Sequence, residues 1–91
     1  MDESDLTAVP NLASKAMLKY DSVRDVALLL LPERVVLLNT SGAAILGLCD
    51  GSRTVQAVVA QLEHDFEAVD LTNDVMTFLK DARGRGWVVV T

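Results

Sequence analysis

The side chains that could carry catalytic or metal chemistry are few and far apart. His64 is the single histidine among 91 residues, and Cys49 is the single cysteine. A metal site, or a nucleophile with its base, needs several such groups at matched spacing. His64 stands between Glu63 and Asp65 at the polar end of a predicted helix, and Cys49 falls on the apolar face of another. We therefore interpret His64 as solvent-exposed and Cys49 as a buried, inert thiol.

The carboxylates and the late glycines also have structural explanations. Asp21 and Asp25 flank a predicted turn, and Asp70 and Asp74 flank a predicted helix start. Turn chemistry and helix capping account for both pairs. Gly84 follows a helix, whereas a phosphate-binding loop precedes one. The sequence therefore predicts no catalytic residue, no metal site and no cofactor, and we do not expect an enzyme.

Length and charge limit the remaining classes of protein that this chain could belong to. A chain of 91 residues has room for one core, and we expect a flexible N-terminal arm over residues 1–14 and one domain over residues 15–91. The formal charge of −5 opposes approach to DNA or an anionic membrane. The longest apolar run, residues 26–31, is far shorter than the ~20 residues that span a bilayer. An acidic, polar N-terminus without an export signal and a lone cysteine suggest a cytoplasmic protein.

The hydrophobic pattern predicts an α+β fold. Residues 17–20, 26–31 and 34–38 are rich in sheet-forming side chains and are separated by turn residues, which predicts a three-stranded antiparallel meander. After Asn39 the spacing of hydrophobic residues changes to that of helices. Three helices are predicted: one capped by Asn39 or Thr40, one capped by Thr54 and one starting at Thr72. Their expected buried faces are Ala44, Ile45, Leu48 and Cys49; Val55, Val58, Val59, Leu62 and Phe66; and Val75, Phe78, Leu79 and Ala82. With a short closing strand at residues 87–90, this order is winged helix-turn-helix-like.

The third predicted strand is the feature that indicates a partner. A half-buried strand alternates apolar and polar residues, but here Val35 and Leu37 on one side and Val36 and Leu38 on the other are all apolar. The strand is predicted to lie at a sheet edge whose only charge is Arg34, at its start. Such an edge suits an extended peptide that joins as an added strand. Pairing with a second copy in a homodimer, or cover by the N-terminal arm, are the alternatives.

The third helix is a candidate for the other wall of this site. Val75, Phe78 and Leu79 are either plain core or, if one flank is exposed, a grip for peptide side chains. Basic residues near its C-terminus, including Arg83, either complement the helix dipole or contact acidic groups of a ligand.

Three segments carry a resemblance to a known family. They read LLLLPERVVLLN, ILGLCDGSRTV and DVMTFLKDARGRGWV, with landmarks such as Pro32 and Glu33, Asp50 and Gly51, and the Gly86 and Trp87 pair. Over about residues 20–89 the chain resembles the pyrroloquinoline quinone biosynthesis protein D family.

The resemblance implies a stand-alone peptide chaperone with the fold of RiPP recognition elements. Family members bind the ribosomal precursor peptide of the quinone cofactor and associate with the radical S-adenosylmethionine enzyme that cross-links a Glu and a Tyr in it. The peptide lies beside the third strand and against the third helix. The implied peptide-binding residues are Arg34, Val35, Val36, Leu37, Leu38, Val75, Phe78, Leu79 and Arg83. A recognition element for another modified peptide, or a DNA-binding winged helix, are the alternative functions.

Overall fold

The computed structural model describes residues 3–91 and confirms the α+β class. From residue 17 onwards the strands and helices follow the predicted order, and a 3₁₀ helix and one further strand precede them. A three-stranded antiparallel sheet precedes three α-helices and a closing strand. The elements are a 3₁₀ helix Glu3–Thr7, β1 Pro10–Leu12, β2 Met17–Asp21, β3 Val26–Leu30, β4 Val35–Leu38, α1 Thr40–Gly47, α2 Val55–Asp65, α3 Thr72–Gly84 and β5 Val88–Val90.

The meander β2–β3–β4 follows from its two turns. In the first turn, Asp21 Oδ1 accepts hydrogen bonds from the backbone N–H groups of Val23 (3.0 Å) and Arg24 (3.2 Å). Such a local acceptor stabilises a tight reversal of the chain. The second turn is closed by the Leu31 N–H, which donates to the Arg34 carbonyl at 2.9 Å. The sheet order β2-β3-β4 leaves β4 at one edge.

The predicted helix caps are confirmed for the first two helices. Asn39 Oδ1 accepts from the Gly42 N–H at 2.7 Å, and Thr54 Oγ1 accepts from the Ala57 N–H at 3.1 Å. Each satisfies an N–H that has no partner within its helix. The third helix begins at Thr72, as predicted, without a side-chain cap at its N-terminus.

The core lies between the inner face of the sheet and the three helices. Most of the predicted apolar faces are buried, including all of Val55, Val58, Val59, Leu62, Val75, Leu79 and Ala82. The prediction that Phe66 belongs to the buried apolar face of α2 is wrong, because this residue is 48% exposed. The reason is local: α2 ends at Asp65, so Phe66 is the C-cap residue and leaves the helical register.

The N-terminal segment, for which a flexible arm was expected, contains a 3₁₀ helix and the short strand β1. β1 pairs antiparallel with β5, with Pro10 opposite Val90 and Leu12 opposite Val88. The Leu12 N–H also donates to the Cys49 carbonyl at 3.0 Å. A pairing this short and this distant along the chain leaves no periodic signal in the sequence. Residues 1 and 2 of the expected arm lie outside the described residues.

Candidate functional site

The outer edge of β4 is free to accept another strand. Within residues 3–91, β4 pairs only with β3. The bond from Leu31 to Arg34 makes these two residues a hydrogen-bonded pair, and in an antiparallel ladder hydrogen-bonded pairs recur at every second residue. The backbone N–H and C=O groups of Val36 and Leu38 therefore form their hydrogen bonds with β3. The backbone N–H and C=O groups of Val35 and Leu37 point the other way, towards the open edge.

The side chains of β4 alternate as predicted, with apolar residues on both faces. Leu38 is buried and Val36 is half-buried against the core, whereas Val35 is 57% exposed and Leu37 is 65% exposed. Only the inner face of this strand is covered by the helices of the chain. An apolar strand thus has one edge and one face open.

A groove of about 350 Å³, hereafter the peptide groove, lies between β4 and α3. It is open along its length, and Trp87, which directly precedes β5, contributes to it. Its lining residues are Arg34, Val36, Leu37, Leu38, Asn39, Gly42, Phe78, Asp81, Arg85 and Trp87. The structure therefore brings four of the five implied strand residues into one concave surface, next to the backbone groups that the edge leaves free.

The α3 residues that line the groove differ from those that the family resemblance implies. Phe78, Asp81 and Arg85 line the groove, and their spacing of three and four residues places them on one face of the helix. Val75 and Leu79 are each only 2% exposed and belong to the core face.

Arg83 lies on the far flank of α3. There it lines a separate small cavity with Lys80 and Val90, and it does not line the peptide groove. Of the four implied helix residues, the structure brings Phe78 alone into the groove. Sequence reasoning missed the lining residues Asn39, Gly42, Asp81, Arg85 and Trp87. Of these, only Asp81 and Arg85 have helical spacing from Phe78, and that spacing alone does not separate them from ordinary solvated positions.

The groove has a basic end. The Arg85 Nε donates to Asp81 Oδ2 at 2.8 Å, and its guanidinium lies 5.5 Å from the centroid of the Trp87 ring. Arg34, at the start of β4, makes no ion pair within the described part of the chain. Because the Arg85 charge is offset by Asp81, Arg34 supplies the net positive charge of the lining.

The two residues considered first for chemistry lie where the sequence indicated. Cys49 is 1% exposed, its Sγ donates to the Ile45 carbonyl at 3.2 Å, and burial together with the charge of Asp50 raises the pKa of the thiol to about 11. His64 is exposed. Over residues 3–91 no three His, Cys, Asp or Glu side chains converge as a metal site would require. No described helix combines the length and apolarity needed to cross a membrane.

Comparisons with known proteins agree on one family. The model of the family described as coenzyme PQQ synthesis protein D (PqqD) matches residues 19–88. The chain is 39% identical over 89 residues to the PqqA binding protein of Azotobacter vinelandii, and 37% identical over 89 residues to the PqqA binding protein of Stutzerimonas stutzeri; each match covers 97% of both chains.

A solved structure has the same fold. The solution NMR structure of the PqqD truncation of Methylobacterium extorquens PqqCD superposes with a TM-score of 0.73 and 30% sequence identity, covering 89% of this chain and 88% of that one. That truncation is described as a functional and stand-alone recognition element for ribosomally synthesised and post-translationally modified peptides.

Proposed function

The chain belongs to the coenzyme PQQ synthesis protein D family, and on this premise we propose that it is a peptide chaperone of pyrroloquinoline quinone biosynthesis that binds the precursor peptide PqqA. Its relatives are named for binding PqqA, and its structural neighbour is a peptide recognition element. The observation in this chain that carries the proposal is the open edge of β4 beside the peptide groove.

The peptide joins the sheet as a fourth strand. Val35 and Leu37 each offer one N–H and one C=O to it, and each hydrogen bond contributes about 0.5–1.5 kcal/mol net. Successive side chains of an added strand point to opposite faces. One set enters the groove against Phe78, and the other set extends the apolar outer face beside Val35 and Leu37.

The protein acts by presentation and contributes no catalytic group. Strand addition holds the peptide mainly through its backbone, which leaves the reacting side chains free to enter another active site. The partner that receives the peptide is the radical S-adenosylmethionine enzyme of the pathway, and both proteins work in the cytoplasm.

The test is a titration of fluorescently labelled PqqA against the protein. Saturation at micromolar or lower concentration is expected, and Val36→Asp should weaken binding at least ten-fold because a carboxylate then replaces an apolar side chain of the groove lining. Val23→Asp is the matched control, since Val23 lies in the first turn and is 93% exposed. A titration of the unmodified protein that stays flat would reject the function. Sedimentation at several concentrations separately tests the alternative that a second copy occupies the edge.

A further inference from the structure

A second cavity, hereafter the helical pocket, lies among the three helices next to the peptide groove. It measures about 370 Å³, and its walls are mostly apolar. Its polar residues are Ser41, at the start of α1, and Asp74, in the first turn of α3. The lining residues are Ser41, Ile45, Leu62, Phe66, Ala68, Leu71, Asp74, Val75 and Phe78.

The helical pocket and the peptide groove share a wall. Phe78 lines both cavities, and the neighbouring residues Ser41 and Gly42 line one each. Since α1 begins at Thr40, two residues after β4 ends, the pocket lies beyond the C-terminal end of β4. A chain that leaves the groove at that end passes the Phe78 ring and meets the pocket directly.

The loop between α2 and α3 holds the pocket open. Glu63 ties this loop at two points: its Oε2 accepts from the Leu71 N–H at 3.0 Å, and its carbonyl accepts from the Ala68 N–H at 2.9 Å. Glu67 and Asp70 have φ values of 50° and 61°, which L-residues other than glycine adopt rarely. These bonds hold the loop in a conformation in which its apolar side chains line the helical pocket instead of filling it.

We infer that the helical pocket receives a bulky apolar side chain of the same peptide, next to the segment that forms the added strand. This inference rests on the proposed function and gives the peptide a direction. Since both existing strand pairs of this sheet are antiparallel, we place the peptide antiparallel to β4 as well, and the residue in the pocket then precedes the strand segment. Arg34, which supplies the net positive charge of the groove lining, lies at the other end of β4 and faces the residues that follow the strand segment. The recognised sequence is therefore a bulky apolar residue, an extended stretch, and then an acidic residue.

Filling the pocket tests this inference. Ala68→Phe places a ring in the pocket, whereas Val69→Phe, one residue later in the same loop, is the matched control because Val69 is 79% exposed and does not line it. The loss of burial for one bulky apolar side chain corresponds to a roughly ten- to hundred-fold weaker affinity. Labelled PqqA should lose this much affinity for Ala68→Phe and less than two-fold for Val69→Phe. Equal affinities of the two variants would contradict the proposed role of the helical pocket and would leave peptide binding in the groove unaffected.

A measurement on the unmodified protein keeps the test decisive if Ala68→Phe does not fold. In NMR spectra, the side-chain signals of Phe66 and Leu71 should shift when PqqA is added, in step with the amide signals of Val35 and Leu37. Strand signals that shift while Phe66 and Leu71 stay still would overturn the inference. Shifts caused by protein concentration alone would assign the pocket to a second copy and would overturn it as well. No shift anywhere would instead reject the proposed function.

Discussion

Replacing Leu37 by proline isolates the contribution of one backbone N–H to peptide binding. In the antiparallel ladder, the Leu37 N–H points away from β3, so proline removes a group that the folded chain itself does not use. Proline is tolerated on an edge strand where the lost N–H faces solvent. The Leu37 side chain is 65% exposed, so its removal costs little burial. We expect the free energy of unfolding to change by less than about 1 kcal/mol.

The expected effect on binding is larger. The missing hydrogen bond removes about 0.5–1.5 kcal/mol, and the peptide carbonyl that faced it is left without a partner, which adds a further cost of about 1–3 kcal/mol if water cannot reach it. A total loss of about 1.5–4.5 kcal/mol corresponds to roughly ten- to two-thousand-fold weaker binding. Leu37→Ala removes the side chain but keeps the N–H, so the difference in affinity between the two variants measures the contribution of the backbone hydrogen bond.

The assay combines peptide titration with urea denaturation and hydrogen exchange. Val36→Pro serves as the opposite control, because its N–H bonds to β3 and its loss should destabilise the fold by about 1–3 kcal/mol. In the unmodified protein, the amides of Val35 and Leu37 should exchange rapidly when free and slowly with peptide bound. If Leu37→Pro bound as tightly as Leu37→Ala, or if these two amides stayed unprotected in the complex, strand addition at this edge would be wrong.

Three further changes probe other parts of the molecule. Arg34→Glu should weaken PqqA binding several-fold and reduce its salt dependence, whereas Arg83→Glu, on the far flank of α3, should not; equal effects would place the peptide elsewhere. Gly42→Ala should weaken binding and cost about 1 kcal/mol of stability, measured by denaturation, because its Cβ would lie 3.0 Å from Asn39 Oδ1 and 3.2 Å from the Phe78 ring. Since burial raises the pKa of Cys49 from 9.0 to about 11, the unfolded chain loses the thiol proton first. The contribution of Cys49 to the free energy of unfolding should therefore be constant with pH below about 9 and fall by up to about 3 kcal/mol towards pH 11, a loss that Cys49→Ala should lack.

The sequence was sufficient where a local signal decides the structure. Asn39 and Thr54 are capping side chains at positions where the hydrophobic period changes, and both caps are present. The edge position of β4 followed from the order of a meander with two short turns. In both cases the residues that determine the structure are neighbours in the chain.

The groove side of α3 could not be read in the same way. Hydrophobic periodicity identifies the face that packs on the core, and for α3 it correctly gave Val75 and Leu79 as buried. A binding groove beside that face includes polar residues such as Asp81 and Arg85, which in the sequence are indistinguishable from ordinary solvated positions. Only the placement of β4 next to the helix separates these residues from the others on its surface.

The N-terminal strand β1, whose pairing could not be predicted from the sequence, lies next to one wall of the peptide groove. Pairing of β1 with β5 ties the N-terminal segment to the residues that follow Trp87, and the Ala13 N–H donates to the Trp87 carbonyl at 2.9 Å. The backbone N–H of Trp87 in turn donates to the Ala82 carbonyl at the same distance, which ties this residue to the end of α3. Both sides of the Trp87 backbone are thus held, and the ring, 8% exposed, forms part of the groove under Arg85. We therefore expect the N-terminal strand to influence peptide binding through Trp87, without lining the groove itself.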